Sequence, residues 1–359
     1  MHSSEVRMEQ NRQGESAWFS VENLQRAFRY AMLDTRDDFV FDVLNHLDVR
    51  VNRDYLLKTL SSQLEYGQYL PNRLIEIEVP KNSYSVRPGS TVTVPDLVVL
   101  FAIVQVLAPH LDAKLLPCVY SYRLNPKRGV KDEPLFVADK AKPEQKSEPP
   151  VEADDEFPSS WFPLWKSFHK DSVATAKTAS FCAVTDITAY FENIQLDRLR
   201  DRLRSLLSSE HHELVDILFS IIKSWNLKLD DHFAGNRGLP QGNDVSSFLS
   251  NIHPSTVDEV LFQMVHGNEA AYLRYVDDIK LYTDDKELAC SALVETAREM
   301  RRIGLNLQSA KTKPIPAAEV FNEEGERWLE MLADESKDRK EHAIEWLATR
   351  HGKKTVPEE

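Results

Sequence analysis

The feature that most constrains this sequence is a pair of adjacent carboxylates, Asp277-Asp278, inside the apolar, β-branched and aromatic run Tyr272-Leu-Arg-Tyr-Val-Asp-Asp-Ile-Lys-Leu-Tyr282. The flanking pattern predicts two short strands joined at a tight tip. Like charges at such a tip repel at close range, so the pair is a poor turn stabiliser. A divalent cation removes the conflict, because hard cations take carboxylate oxygens as ligands. The stretch therefore predicts an antiparallel hairpin that presents acidic groups to metal.

A chain of 359 residues with 42% hydrophobic content can bury a substantial core and hold two or three subdomains. No apolar run reads as a membrane span of roughly 18 residues, and the polar stretch Met1 to Glu15 does not read as a secretory signal. The expectation is a cytoplasmic protein with no membrane partner. Cys118, Cys182 and Cys290 lack metal-ligand spacing and read as reduced packing residues. A net charge of -13 runs against the basic surface that favours nucleic-acid backbones. Its distribution matters more than its sum. Acidic residues gather at Glu144, Glu148, Glu152 and 154–156, whereas Lys81, Arg87, Arg123, Lys127 and Arg128 supply positive charge. This leaves open a local basic groove on an acidic body, or a positive surface supplied by a partner.

Apolar spacing predicts helices over Val21 to Leu33, Phe39 to Leu47 and Tyr55 to Leu64. Alternation in Leu74 to Val79 and Thr91 to Val94, around the turn-rich Pro80 to Gly89, predicts a β-hairpin. A mostly buried helix follows over Leu97 to Leu116, with Asp96 as its cap. Residues 140–159, rich in Pro, Lys and Glu, read as an exposed insertion. Phe181 to Asp186 reads as a buried strand ending in a carboxylate. Helical patterns then fit Leu196 to Leu207, Glu213 to Trp225, Ser246 to Val265, Lys286 to Ile303 (capped by Asp284-Asp285) and Glu323 to Leu347. The class is α+β.

Carboxylates carried on separate segments suit two-metal nucleotidyl transfer, in which ions roughly 3.5–4 Å apart serve the attacking hydroxyl and the triphosphate. Asp186, followed by Ile187-Thr-Ala-Tyr-Phe191, supplies a second acidic segment, and Gly238-Leu-Pro-Gln-Gly242 supplies a loop that a nucleotide can approach closely. On these residues the chain resembles a reverse transcriptase. Asp186 with Phe191 is similar to the family's first palm motif, Gly238 to Gly242 with Ser246-Ser247 and Asn251 to its second, and Tyr275 to Asp278 to its third. Gly304 to Lys313 resembles the segment that bears a lysine after the palm. Val79-Pro-Lys81, Ser85-Val-Arg87-Pro, Pro95-Asp96 and Ser121-Tyr-Arg123 resemble fingers motifs of the bacterial group II intron and retron branch, and within the family the chain is most similar to the bacterial reverse transcriptases of retrons and of antiphage defence, of the abortive-infection or unknown-group type.

The resemblance implies a right-hand polymerase fold with an N-terminal helical region (1–73), fingers (74–180, with the insertion), a palm (181–313) and a reduced thumb or C-terminal helix (314–359). It implies two Mg²⁺ ions, with Mn²⁺ as a substitute, held by Asp186, Asp277, Asp278 and the carbonyl of Ile187. Lys311 would serve the leaving pyrophosphate. Lys81 and Arg87 would grip the triphosphate of a dNTP, Phe191 would exclude a ribose 2′-hydroxyl, and Gln241 and Tyr275 would line the nucleotide and primer sites. Arg123, Lys127 and Arg128 are the candidate RNA contacts. The implied partners are a noncoding RNA template, a DNA primer or product, and a second protein subunit or copy that compensates for a minimal thumb. Two competing readings stay open: a template-independent or protein-primed DNA polymerase, and a noncatalytic RNA-binding scaffold.

Overall fold

The computed structural model describes residues 18–35, 43–82, 85–129, 133–137, 163–225, 236–268 and 270–322. The expected insertion at 140–159 and the expected helix at 323–347 lie outside the described residues. Three helices, α1 (Val21–Asp34), α2 (Val43–Val51) and α3 (Arg53–Glu65), open the fold. Ser20 caps α1 by accepting the Asn23 amide at 3.2 Å. The predicted second helix runs on past Leu47 to Val51, and residues 36–42 fall outside the description.

The expected hairpin forms, as β1 (Ile75–Asn82) and β2 (Ser85–Thr91) in a two-stranded sheet, but its second strand lies in the stretch read as a turn and not at Thr91 to Val94, because Val94 and Pro95 already open the next helix. Pro80 and Pro88 sit within paired strands, opposite Val86 and Glu78. Both strands are edges, where a missing amide donor can face away from the ladder. Next comes α4 (Val94–Asp112), buried along nearly its whole length from Leu97 to Leu111. A helix apolar on every side belongs in the middle of a fold. Although α4 has the length and apolarity of a membrane span, it is packed against α1, where the Asn23 side chain donates to the Ala102 carbonyl at 3.0 Å. It starts before the predicted cap, because Pro95 suits a first turn. Asp96 instead accepts from the hydroxyls of Tyr69 and Thr93 and the amide of Asn72, pinning the approach to β1.

After the short pair β3 (Arg123–Leu124) and β4 (Phe136–Val137) and helix α5 (Pro163–Ala176), the chain enters its main sheet with β5 (Phe181–Thr185). The helices α6 (Tyr190–Asn193), α7 (Leu196–Leu206), α8 (His212–Trp225), α9 (Asp244–Ile252) and α10 (Ser255–Val265) follow. The predicted continuous helix Ser246 to Val265 is thus two helices, interrupted at His253-Pro254, where proline removes a helical donor. Strands β6 (Ala270–Tyr275) and β7 (Asp278–Thr283), helix α11 (Lys286–Arg302), capped by Asp285, and β8 (Lys313–Pro316) complete the described fold, with residues 317–322 helical.

The main sheet has the order β6-β7-β5-β8 and is antiparallel throughout. Ala183, Tyr272, Ile279 and Leu281 join the large core with the helices, while Cys182, Leu273, Tyr282 and Ile315 join Phe168, Ala176, Ala317 and Val320 in a second core. Covered on both faces, the strands read as nearly continuous apolar runs. Cys118 and Cys182 are buried and Cys290 is exposed, all three as free thiols.

Candidate active site

The pairing of β6 with β7 ends at Tyr275↔Asp278, leaving Val276-Asp277 as a two-residue turn at the sheet's end. Beside it, β5 pairs with β7 up to Thr185↔Ile279. Asp186 is the residue after that last pair, and its charge, like that of Asp278, acts on Asp277. The two acidic segments expected from sequence therefore meet. Burial, together with the negative charges of Asp186 and Asp278, pushes the Asp277 carboxyl up to about 6, opposed by a backbone hydrogen bond and by Lys311.

Two lysines temper this charge. Lys311 forms an ion pair with Asp186, and Lys280, itself buried, lies 3.5 Å from Asp278 with its ammonium 4.8 Å above the Phe168 ring. Among the described residues no three His, Cys, Asp or Glu side chains are drawn into a ready ligand cluster. The donor set nonetheless fits a divalent ion: all the acidic groups are oxygen donors, they come from two separate segments, and the charges of Asp186 and Asp278 add to burial in favouring the proton on Asp277. Each lysine stands at a carboxylate that a dication would neutralise.

The loop after Asp186 is fixed from two sides. Thr188 donates to the Asn306 carbonyl and Gln308 to the Asp186 carbonyl, the pattern of a bridge between Ile187 and Leu307. Neither bond uses the Ile187 carbonyl, which this pattern turns away from residues 306–308. Gly304, at φ +86°, approaches Gln195 so closely that an added Cβ would lie 2.2 Å from its amide nitrogen. On the other side, Gly238 and Leu239 donate to the carbonyls of Ile194 and Phe191, clamping the glycine loop to α6. Phe191 is half-buried, edge-on to Tyr190. The Gln241 carbonyl accepts the Ser90 amide at 2.9 Å, so the β1–β2 hairpin is tied to the same loop.

Lys81 and Arg87 occupy the backbone of that hairpin, but their side chains lie outside the description. Tyr275 is half-buried with its ring 5.4 Å from Phe168. Arg123 is engaged inside the protein, paired with Asp112 at 2.8 Å and donating to the Leu116 and Val119 carbonyls. Lys127 and Arg128 are exposed in the adjoining turn. Sequence reasoning missed Lys280 and the pair Arg274 and Asp258, buried at 0% and 1% exposure. For Lys280 the signal was a charge between two core residues, Ile279 and Leu281.

The profile of the family described as reverse transcriptase (RNA-dependent DNA polymerase) matches residues 79–348, a span that contains every one of these segments. The chain belongs to this reverse transcriptase family. Its fold is accordingly the right-hand polymerase fold, and the chemistry of the family is RNA-directed DNA polymerisation, which uses divalent metal ions. No match is found among curated proteins. Similar solved structures include the telomerase of Candida albicans with a fragment of telomeric RNA, at 13% identity over 73% of this chain and 46% of that one, with a TM-score of 0.41. Two Candida tropicalis telomerase structures are also similar at 13% identity: an apo form (70% and 53%, TM-score 0.42) and an RNA complex (72% and 44%, TM-score 0.43). The chain spans about half the length of each of these structures.

Proposed function

We propose that this reverse transcriptase holds two Mg²⁺ ions on Asp186, Asp277, Asp278 and the Ile187 carbonyl, and copies a dedicated noncoding RNA into DNA from dNTPs. The observation that carries the reading is the meeting of the Asp186 segment with the Asp277-Asp278 turn at one sheet end, where burial and then the charges of Asp186 and Asp278 raise the Asp277 pKa. Bound ions would activate the primer hydroxyl and offset the charge of the triphosphate. In this reading Lys311 moves from Asp186 to the leaving pyrophosphate as the carboxylate takes up its ligand role. Lys81 and Arg87 bring the triphosphate to the loop to which their hairpin is tied. Phe191, held by the Leu239 amide bond to its carbonyl, closes the space a ribose 2′-hydroxyl would need. Gln241 and Tyr275 line the nucleotide and primer sites, and exposed Lys127 and Arg128 contact RNA. Within this scheme the described helices up to Glu65 form an N-terminal helical region, the fingers begin at residue 74 and the palm spans 181–313.

Resemblance of the fingers segments to the group II intron and retron branch supports a bacterial, cytoplasmic role in antiphage defence. The test is synthesis by purified protein with dNTPs and Mg²⁺ or Mn²⁺, followed by sequencing of the product. Copies of one RNA stretch are expected, and Asp278→Asn abolishes them. Simple repeats or random tracts would instead favour untemplated or protein-primed synthesis. Full biological activity in an Asp186→Asn protein would favour a scaffold.

A further inference from the structure

Val276 carries a β-branched side chain at φ +52°, a left-handed conformation normally left to Gly, Asn or Asp in a two-residue turn. Its two backbone polar groups are both held from outside the hairpin's ladder. The amide donates to Ser121 Oγ at 3.0 Å, and the carbonyl accepts from Arg274 Nη1 at 3.0 Å. These partners belong to one buried assembly. Arg274 grips both Asp258 carboxylate oxygens at 2.7 Å through Nε and Nη2, and reaches the Asn251 side-chain oxygen at 3.3 Å and its carbonyl at 3.0 Å. Together with the bond to Val276, that makes five hydrogen bonds for the five N–H donors of a guanidinium. Ser121 Oγ in turn donates to the Asn251 side-chain oxygen at 2.8 Å, and the Asn251 amide returns a bond to the Ser121 carbonyl. Ser121, Asn251 and Arg274 are all at 0% exposure.

The backbone extends the same connection. Arg274 donates its amide to the Cys118 carbonyl and accepts from the Tyr120 amide, so residues 118–121 run along the outer edge of β6. Three distant segments, 118–121, α9 and α10, therefore converge on one turn residue whose preferred conformation is elsewhere.

We propose that Ser121, Asn251 and the Arg274–Asp258 pair are positioning residues that lock Val276 in its left-handed state and thereby aim Asp277 and Asp278. The proposal rests on the metal role given to those carboxylates above. None of the four touches a reacting atom; each acts through the turn.

Ser121→Ala is the mildest probe, because it removes one hydroxyl and leaves the ion pair intact. Its effect on Mn²⁺ affinity, measured by electron paramagnetic resonance titration, is compared with the same change made in a V276G protein, where the left-handed state carries no side-chain penalty. The loss expected is about tenfold with Val276 present and less than about twofold with V276G, a coupling that a purely structural serine would not show. The same fold loss in both backgrounds, or none in either, overturns the proposal. Hydrogen exchange of the peptide covering 275–279 reads the lock without any metal. Faster exchange there in Ser121→Ala supports it, and unchanged exchange overturns it. Faster exchange in a protein whose wild type binds no Mn²⁺ overturns the aiming of metal ligands and, with it, the metal reading of the site, leaving only the lock.

Discussion

Replacing Asp258 by Asn isolates the worth of one buried charge. The change keeps size and shape, opens no cavity, and removes the anion that two guanidinium nitrogens contact at 2.7 Å. Burial opposes the charge on Arg274, and the attraction of Asp258 and their hydrogen bonds more than offset it, so the guanidinium pKa is raised above its ordinary value. Once Asp258 is neutral, Arg274 cannot discard its proton and stays a cation at 0% exposure. Breaking one side of such a pair costs about 3–5 kcal/mol. The Tyr272 hydroxyl, which donates to the same carboxylate at 2.6 Å, loses a charged acceptor as well, for roughly 1 kcal/mol more. At about 2–4 °C per kcal/mol for a domain of this size class, the melting temperature should fall by on the order of 10 °C.

Urea unfolding of the metal-free protein measures the change directly, and the molecule contains its own control. Arg204 and Asp216 make a comparably short two-bond pair at 2.8 and 2.6 Å, but with side chains 38% and 49% exposed. Asp216→Asn should cost less than about 1 kcal/mol, because water screens the pair and solvates whichever partner remains. If the two substitutions destabilise the protein equally, burial is not what gives the Arg274–Asp258 pair its weight, and the reasoning fails.

Three further outcomes are expected. Gly304→Ala should lose about 1–2 kcal/mol in urea, from the positive φ and from displacing Gln195; adding Gln195→Ala should return only the steric part. Burial, aided by the Arg198 charge and opposed by the bond to the Ile303 carbonyl, lowers the His253 pKa to about 4. Its folded pKa is depressed, so the stability it contributes is complete above about 6.5 and is lost as pH falls toward 4, at up to about 1.4 kcal/mol per pH unit, and His253→Gln should flatten that slope in a melting series. Asp277 has the opposite sign: its pKa is raised to about 6, so its contribution is complete below about 3.8 and gone above 6 in metal-free protein. Mn²⁺ should therefore raise the melting temperature more at pH 8 than at pH 5, and Asp277→Asn should remove the difference.

Much of this molecule was legible in local pattern. The acidic hairpin, the strand before Asp186 and most helices follow from apolar spacing over a few residues, and the order of the motifs led to the family. What escaped was either a local rule overridden or a pairing across long sequence separation. Pro254 breaks an apolar period that otherwise runs on from α9 into α10. Pro80 and Pro88 suggested a turn, yet an isolated two-stranded ribbon tolerates both. Arg274 lies in a strand whose alternation gives no sign that its partners are Asp258 and Ser121, brought near only by the folded backbone. Nor does any spacing show that Lys280 and Lys311 would settle on Asp278 and Asp186.

The double covering of the β6-β7-β5-β8 sheet has a consequence for how substrates arrive. With helix α5 and residues 317–320 on one side and the large helical core on the other, neither broad surface of the sheet is open to a duplex. On the proposed reading, the opening left to a primer terminus among the described residues is at the strand tips, near the 236–242 loop and the 304–311 segment. A product made there would leave past the end of the sheet, so that charge changes in those two segments should alter how long a strand stays engaged.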